Sequence, residues 1–290
     1  MSLKHLYSPA VCPLCESETA QVGLCNNKTC TDRLKPIDPS GHCRVCFTPL
    51  LQDGTCSFCV SRNVFFDSYR AIYSLDEHTA KLVRKLKFEN DRWLIRLFVD
   101  AVTGIMSHHL TANGDVQKDV QKSAQQDSKS HLNPNPAHRS EVVKSNGSDR
   151  IEDRYSFIER IGWISSGRLS HQTRPYQPMA DLVRAVAASL KIGYGGDIVK
   201  TKQGKQSAAR YEGRFFDIPR SLRLTTSFHR VDYYLLLEDI FTTGATANES
   251  ARLLKKAGVK EVHILSLFQR QRDGLLWIPS QEIEKETLTS

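Results

Sequence analysis

The chain has 290 residues, enough for one full α/β core and a smaller appendage. Its hydrophobic content of 40% is that of an ordinary globular protein, and no run of about 18 apolar residues occurs, which excludes a predicted membrane helix. The formal charge of +8 is concentrated: residues 160–230 carry 13 Lys and Arg against 4 Asp and Glu, a net of +9, whereas residues 1–65 carry 6 basic and 5 acidic side chains. A field of that sign and place suits an anionic ligand or a nucleic acid. The competing reading is a solvated basic surface that serves solubility. The first residues, Met1 to Pro9, lack an apolar signal core, so a cytoplasmic location is expected.

All 8 cysteines lie in the first 59 residues and form two quartets, Cys12, Cys15, Cys25, Cys30 and Cys43, Cys46, Cys56, Cys59. The first three of each share the spacing C-x2-C-x9-C, and the quartets are offset by 31 residues, which marks a tandem repeat. Gly23 and Gly54 hold matching places two residues before the third cysteine, where a tight knuckle is expected. A C-x2-C turn aims two thiolates at one point, and a second turn completes a tetrahedron around Zn²⁺. Disulfides are the alternative, and they fit poorly with a chain that lacks a signal peptide. The expectation is two structural zinc sites in a module over residues 1–65. With four thiolates per ion the module carries a net charge of about −3, which suits contact with protein better than with a phosphate backbone.

Residues 66–74 read as an entry strand, with Tyr69, Ala71 and Tyr73 on one side. His78 to Lys87 has helical spacing in Leu82, Val83 and Leu86, and Trp93 to Leu110 is a second, strongly apolar helix that Asp91 would cap. Residues 111–150 contain only five large apolar side chains and no aromatic, so they predict a disordered insertion. Ile158 to Ile164 predicts a strand that leads into Ser165-Ser166-Gly167-Arg168. Pro178 suits the first turn of a helix that runs to Leu190. Ile198-Val199 opens a short strand that leads towards Lys200 and Lys202, Glu261 to Phe268 is the last clear strand, and residues 276–290 form a polar tail. Strands alternating with helices predict a parallel sheet flanked by helices, over 66–275, with ligands at the carboxyl ends of the strands.

The chemistry concentrates in Leu235 to Thr246, where an apolar run ends in two acids, Glu238 and Asp239, followed by Thr242-Thr243-Gly244-Ala245-Thr246 and a helical pattern. A strand that delivers carboxylates to its carboxyl end, with a helix N-terminus behind a hydroxyl-rich turn, can hold a sugar phosphate. Amides and hydroxyls grip the phosphate, and the acids grip hydroxyls or a magnesium ion. No Lys follows the glycine, so the turn is not a Walker-type loop. An ordinary strand–turn–helix connection is the plain alternative.

The twelve-residue string resembles the 5-phosphoribosyl-1-pyrophosphate (PRPP) signature of type I phosphoribosyltransferases. The resemblance implies that Glu238 and Asp239 contact the ribose hydroxyls and that Thr242 through Thr246 bind the 5′-phosphate. With a double four-cysteine module in front, the chain resembles the ComF family of bacteria, the amidophosphoribosyltransferase-like competence proteins. Leu82-Val-Arg-Lys-Leu-Lys-Phe88 is similar to that family's Leu-x-x-Leu-Lys-Phe helix ending, and Arg174-Pro-Tyr-Gln-Pro-Met-Ala-Asp-Leu182 stands where members carry Arg-Gly-Phe-Asn-Gln-Ala-x-x-Leu. Lys202 to Arg214 has the rhythm of the family's basic segment. Gly162 to Arg168 departs from the Pro-containing loop that usually follows the central strand, the loop that holds pyrophosphate and Mg²⁺ in type I enzymes.

The resemblance thus implies a type I phosphoribosyltransferase-like sheet that binds PRPP or another ribose 5-phosphate, with Mg²⁺ as its companion, and leaves turnover open. In an enzyme, Arg168 or Lys202 would neutralise the leaving pyrophosphate. It also implies a role in uptake of transforming DNA. Trp163, Tyr176, Tyr211 and Phe215 among the basic residues would suit a single strand, although many such aromatics end in cores. The alternatives are an active phosphoribosyltransferase in nucleotide salvage and an adaptor whose zinc module docks a DNA-processing partner such as a helicase.

Overall fold

The computed structural model describes residues 10–19, 23–56, 64–89, 91–107, 155, 157–165, 176–201 and 222–270. They divide between two compact units, 1–103 with 158–290, and 104–157; the sheet, the cysteine clusters and the cleft belong to the first. The expected insertion at 111–150, the tail, Arg168, Lys202 and Cys59 lie outside the described residues.

In the cysteine region, β1 (Ala10–Val11) pairs antiparallel with β2 (Glu18–Thr19), and α1 (Lys28–Arg33) follows. The sheet strands are β3 (Ser68–Leu75), β4 (Arg160–Ser165), β5 (Gly193–Lys200), β6 (Leu222–Leu224), β7 (Tyr233–Phe241) and β8 (Glu261–Arg270). The helices are α2 (Thr79–Phe88), α3 (Arg92–Ser107), α4 (Pro178–Leu190) and α5 (Ala245–Lys256). The sheet order is β3-β8-β7-β4-β5-β6, parallel throughout except for the β5–β6 pair. β8 has eight consecutive buried residues, Val262 to Gln269, as a strand covered on both faces requires.

The helices follow their expected signals. Leu82, Val83 and Leu86 are buried on α2, and Leu94, Phe98 and Val102 on α3. The Trp93 and Leu94 amides donate to Asp91 Oδ1 at 2.9 and 3.4 Å, the cap that Asp91 was expected to supply. Pro178 occupies the first turn of α4, which ends at Leu190 with Lys191 left-handed at φ 58°.

Two strands differ from expectation. β6 is a three-residue antiparallel edge strand that carries no periodicity signal. β5 begins at Gly193, five residues before Ile198, through a Gly-Tyr-Gly-Gly stretch that reads as a loop. The glycines make room for a buried polar network. Arg160 binds Asp197 through Nε at 2.7 Å and Nη2 at 2.8 Å, and the Tyr234 hydroxyl donates to Asp197 Oδ2 at 3.0 Å. A Cβ on Gly195 would lie 2.2 Å from Arg160 Nη2, and one on Gly162 would lie 1.7 Å from the Tyr234 hydroxyl oxygen.

The open edge of the sheet meets the cysteine region. On β3, the Tyr69 amide donates to the Val45 carbonyl at 2.7 Å, and the Ile72 carbonyl accepts from the Ile37 amide at 2.8 Å. An uncovered edge strand is a template for wrong pairing; here the cysteine region occupies it.

Candidate functional site

β7 is buried from Tyr234 to Leu237, then Glu238, Asp239 and Ile240 open into a cleft of about 280 Å³ at its carboxyl end. Glu238, Asp239, Thr242, Thr243, Gly244 and Thr246 all line it, so the structure brings six of the seven acid-pair and turn residues into one space. Ala245 is the first residue of α5; it is buried and does not line the cleft.

Gly244 is the N-cap of α5, with φ 70° and ψ 0°, a left-handed conformation that a side chain would strain. A Cβ there would also lie 2.5 Å from Phe241 Cζ, so conformation and space both require glycine. The first intrahelical bond runs from the Asn248 amide to the Gly244 carbonyl at 2.7 Å, and the Ala245 amide donates to Thr243 Oγ1 at 3.3 Å. The Thr246 and Ala247 amides fall in the first turn, where a helix supplies no acceptor of its own. Helix N-terminus and hydroxyls together present the kind of donor set that an anion such as phosphate needs.

The acids sit in unlike surroundings. Asp239 Oδ1 accepts from the Ile240 amide at 2.7 Å, and Oδ2 pairs with Lys87 Nζ at 2.5 Å. Burial, and then the neighbouring Asp239 carboxylate, push the Glu238 carboxyl up to about 8, against the pull of Lys200. Two cleft lysines were absent from the expected site: Lys87, in the last turn of α2, and Lys200, the last residue of β5. The signal for Lys87 was the Leu-Lys-Phe helix ending; Lys200 lies two residues from the expected Lys202.

Trp163 and Tyr176 also line the cleft, and among the described residues the Trp163 Nε1 and the Tyr176 hydroxyl are buried without a hydrogen-bond partner. Burial, and then Asp181 and Asp91, push the Tyr176 hydroxyl up to about 12, so it stays a donor. Buried donors left unpaired are costly.

The cysteines gather as their spacing predicts. The sulfurs of Cys12, Cys15, Cys25 and Cys30 lie within 4.8 Å of one another, as do those of Cys43, Cys46 and Cys56. Cys15 and Cys25 are 3.6 Å apart, and Cys46 and Cys56 are 3.4 Å apart. Thiolates about 2.3 Å from Zn²⁺ in a tetrahedron stand about 3.8 Å from each other, so both clusters fit the ion. Burial first, with the Cys25, Cys15 and Cys12 thiols beside it, pushes the Cys30 thiol up to about 12, the repulsion that a divalent cation would relieve.

The two clusters repeat each other atom for atom. Cys12 and Cys43 amides donate to Ser17 and Thr48 carbonyls, both at 2.8 Å, while Glu16 and Phe47 amides donate back to Cys12 and Cys43 carbonyls. Cys15 and Cys46 sulfurs contact the Ser17 and Thr48 hydroxyls, and Gly23 and Gly54 both have positive φ, as a knuckle wants.

These clusters are tied to the cleft. Phe47 packs edge-on against Tyr69, Tyr69 stacks on Phe241 with ring centroids 3.7 Å apart, and Phe241 lies against Gly244. The Phe65 amide, just after the second cluster, donates to Asn248 Oδ1 on α5 at 2.7 Å. The first cluster reaches α2 and α3 instead: Glu16 pairs with Lys81 at 3.3 Å, and Gly23 lies under Trp93.

A mixed, mostly parallel sheet thus carries an acid pair at a strand end and a threonine turn at a helix N-terminus in one cleft, and is joined to two cysteine clusters that could hold zinc. The chain is similar to competence protein F of Haemophilus influenzae (strain ATCC 51907 / DSM 11121 / KW20 / Rd), 24% identical over 251 residues, which cover 86% of this chain and 91% of that protein. No family model matches the chain. Among solved structures it aligns with hypoxanthine phosphoribosyltransferases of Trypanosoma cruzi, at 19% identity and a TM-score of 0.26, and of Staphylococcus aureus, at 17% and 0.22. Those alignments cover 41% and 39% of this chain and 57% and 55% of the two enzymes, so the chain spans little more than half of their length.

Proposed function

We propose that this ComF-like protein binds PRPP, through its ribose 5-phosphate part, in the cleft at the end of β7 and acts in the handling of incoming DNA. The observation that carries the binding is the convergence of Glu238, Asp239 and the Thr242–Thr246 turn on one cleft. The turn's hydroxyls and the first amides of α5 receive the 5′-phosphate, and the carboxylates accept from the ribose hydroxyls. Mg²⁺, when bound with the ligand, would be held by the same carboxylates and would neutralise the diphosphate. If the cleft turns PRPP over, its residues contribute orientation and charge stabilisation, with Lys200 as the cation on the β5 side of the leaving group.

The DNA role rests on the similarity to competence protein F and on the net +9 of residues 160–230. No described helix is long and apolar enough to cross a membrane. Calorimetric titration with PRPP and Mg²⁺ tests the reading. Wild type should bind and Asp239→Ala should lose at least about tenfold in affinity, the cost of a charge-assisted hydrogen bond. Wild type that binds neither PRPP nor ribose 5-phosphate would refute the proposal.

A further inference from the structure

Lys87 comes from outside the strand–turn–helix that carries the acids. It stands in the last turn of α2, 2.5 Å from Asp239 Oδ2, and both side chains are a little over a quarter exposed. Asp239 thus has a partner on each oxygen in the free protein, the Ile240 amide on Oδ1 and Lys87 on Oδ2. A ribose hydroxyl that approaches Oδ2 must share that oxygen with the Lys87 ammonium. The ammonium, in contrast, sits on a flexible four-carbon stem and can change partners.

A dianionic or more highly charged group that enters beside Asp239 offers Lys87 a stronger partner than a single carboxylate. Among the described cleft residues, Lys87 and Lys200 are the cations. With Glu238 held largely protonated near neutral pH, the resting cleft carries about one net positive charge, Lys87 and Lys200 against Asp239.

We infer that Lys87 is a specificity-determining residue: it neutralises Asp239 in the free protein and passes to the 1-diphosphate of the ligand, which frees Asp239 for the ribose hydroxyls. The inference rests on the proposed binding of a ribose 5-phosphate. Two consequences follow from the exchange. A ligand with a 1-diphosphate gains a cation and loses nothing. Ribose 5-phosphate competes with Lys87 for Asp239 without offering the ammonium a replacement, so the cleft discriminates against it.

The test compares PRPP and ribose 5-phosphate, each with Mg²⁺ at fixed ionic strength, on wild type, Lys87→Met and Lys87→Arg. Lys87→Met should weaken PRPP about ten- to a hundredfold while ribose 5-phosphate binds as well as before or better. Lys87→Arg, which keeps the charge, should retain most of the preference for PRPP. Thermal melting of each variant establishes that it folds. An equal loss for both ligands would reduce Lys87 to a prop for Asp239 and overturn the inference, as would unchanged PRPP binding. Neither outcome touches the proposed site, whereas wild type that binds neither ligand overturns both.

Discussion

Adjacent carboxylates repel, and the cleft resolves that repulsion unequally. Asp239 takes Lys87 as its counter-ion, while desolvation and the Asp239 carboxylate raise the half-buried Glu238 carboxyl to about 8. The unfolded chain holds Glu238 near its ordinary value of 4.5. Between that value and 8 the folded protein binds more protons than the unfolded one. This group's contribution to stability is therefore full below about pH 4.5 and is lost as pH rises through 8. A ligand that needs the carboxylate shows the opposite trend. PRPP–Mg²⁺ affinity should climb between pH 6.5 and 8.5, and Glu238→Gln should flatten that climb in parallel titrations. Gly244→Ala combines a positive φ with a contact on Phe241; it should cost about 1–3 kcal/mol by urea denaturation and weaken ribose 5-phosphate binding.

At the scale of elements, glycines decide what β4 and β5 can be. Gly162 and Gly195 clear the space in which Asp197, 1% exposed, meets Arg160 and Tyr234. The pair is bidentate and joined by a phenol, so its desolvation is repaid by hydrogen bonds. Asp197→Asn leaves the Arg160 charge without its counter-ion and should destabilise the fold by about 3–5 kcal/mol, measured by chemical denaturation. An effect below about 1 kcal/mol would mean that Arg160 finds water. The Phe47–Tyr69–Phe241 stack is the corresponding link between the second cysteine cluster and the threonine turn. Tyr69→Ala removes both ring contacts and the Ser266 hydrogen bond at 2.9 Å, and should lower both stability and ribose 5-phosphate affinity.

For the whole molecule, the expected metal content is two Zn per chain by elemental analysis; a value near zero would refute the assignment. Removal of zinc with a chelator should lower the melting temperature and weaken ribose 5-phosphate binding together, because the second cluster touches the edge of β3 and reaches Gly244 through three aromatic rings. Chelated protein that binds the ligand unchanged would show that this link carries no coupling. Binding to a single-stranded oligonucleotide should weaken steadily as salt rises; an affinity indifferent to salt would remove the basic segment from that role.

Several local features could be read from the residues. The C-x2-C-x9-C repeat, the Asp91 cap, Pro178 at a helix start and the acid pair before the threonine turn are each set by short-range geometry, so spacing alone exposes them. The start of β5 was hidden because glycine reads as a turn unless the neighbours that need its empty space are known. β6 was hidden because three residues on an edge carry no period.

The amino-acid sequence by itself determined the tandem cysteine repeat, the strand–turn–helix of the cleft and the order of its main elements, since all of these are written in contiguous residues. Only the tertiary structure decided that Lys87, 152 positions before Asp239, is its counter-ion, and that the cysteine region closes the edge of β3 rather than standing apart. Contacts of that range depend on how α2 and β3 pack beside β7 and β8. Spacing along the chain carries no record of packing between elements that are distant in sequence.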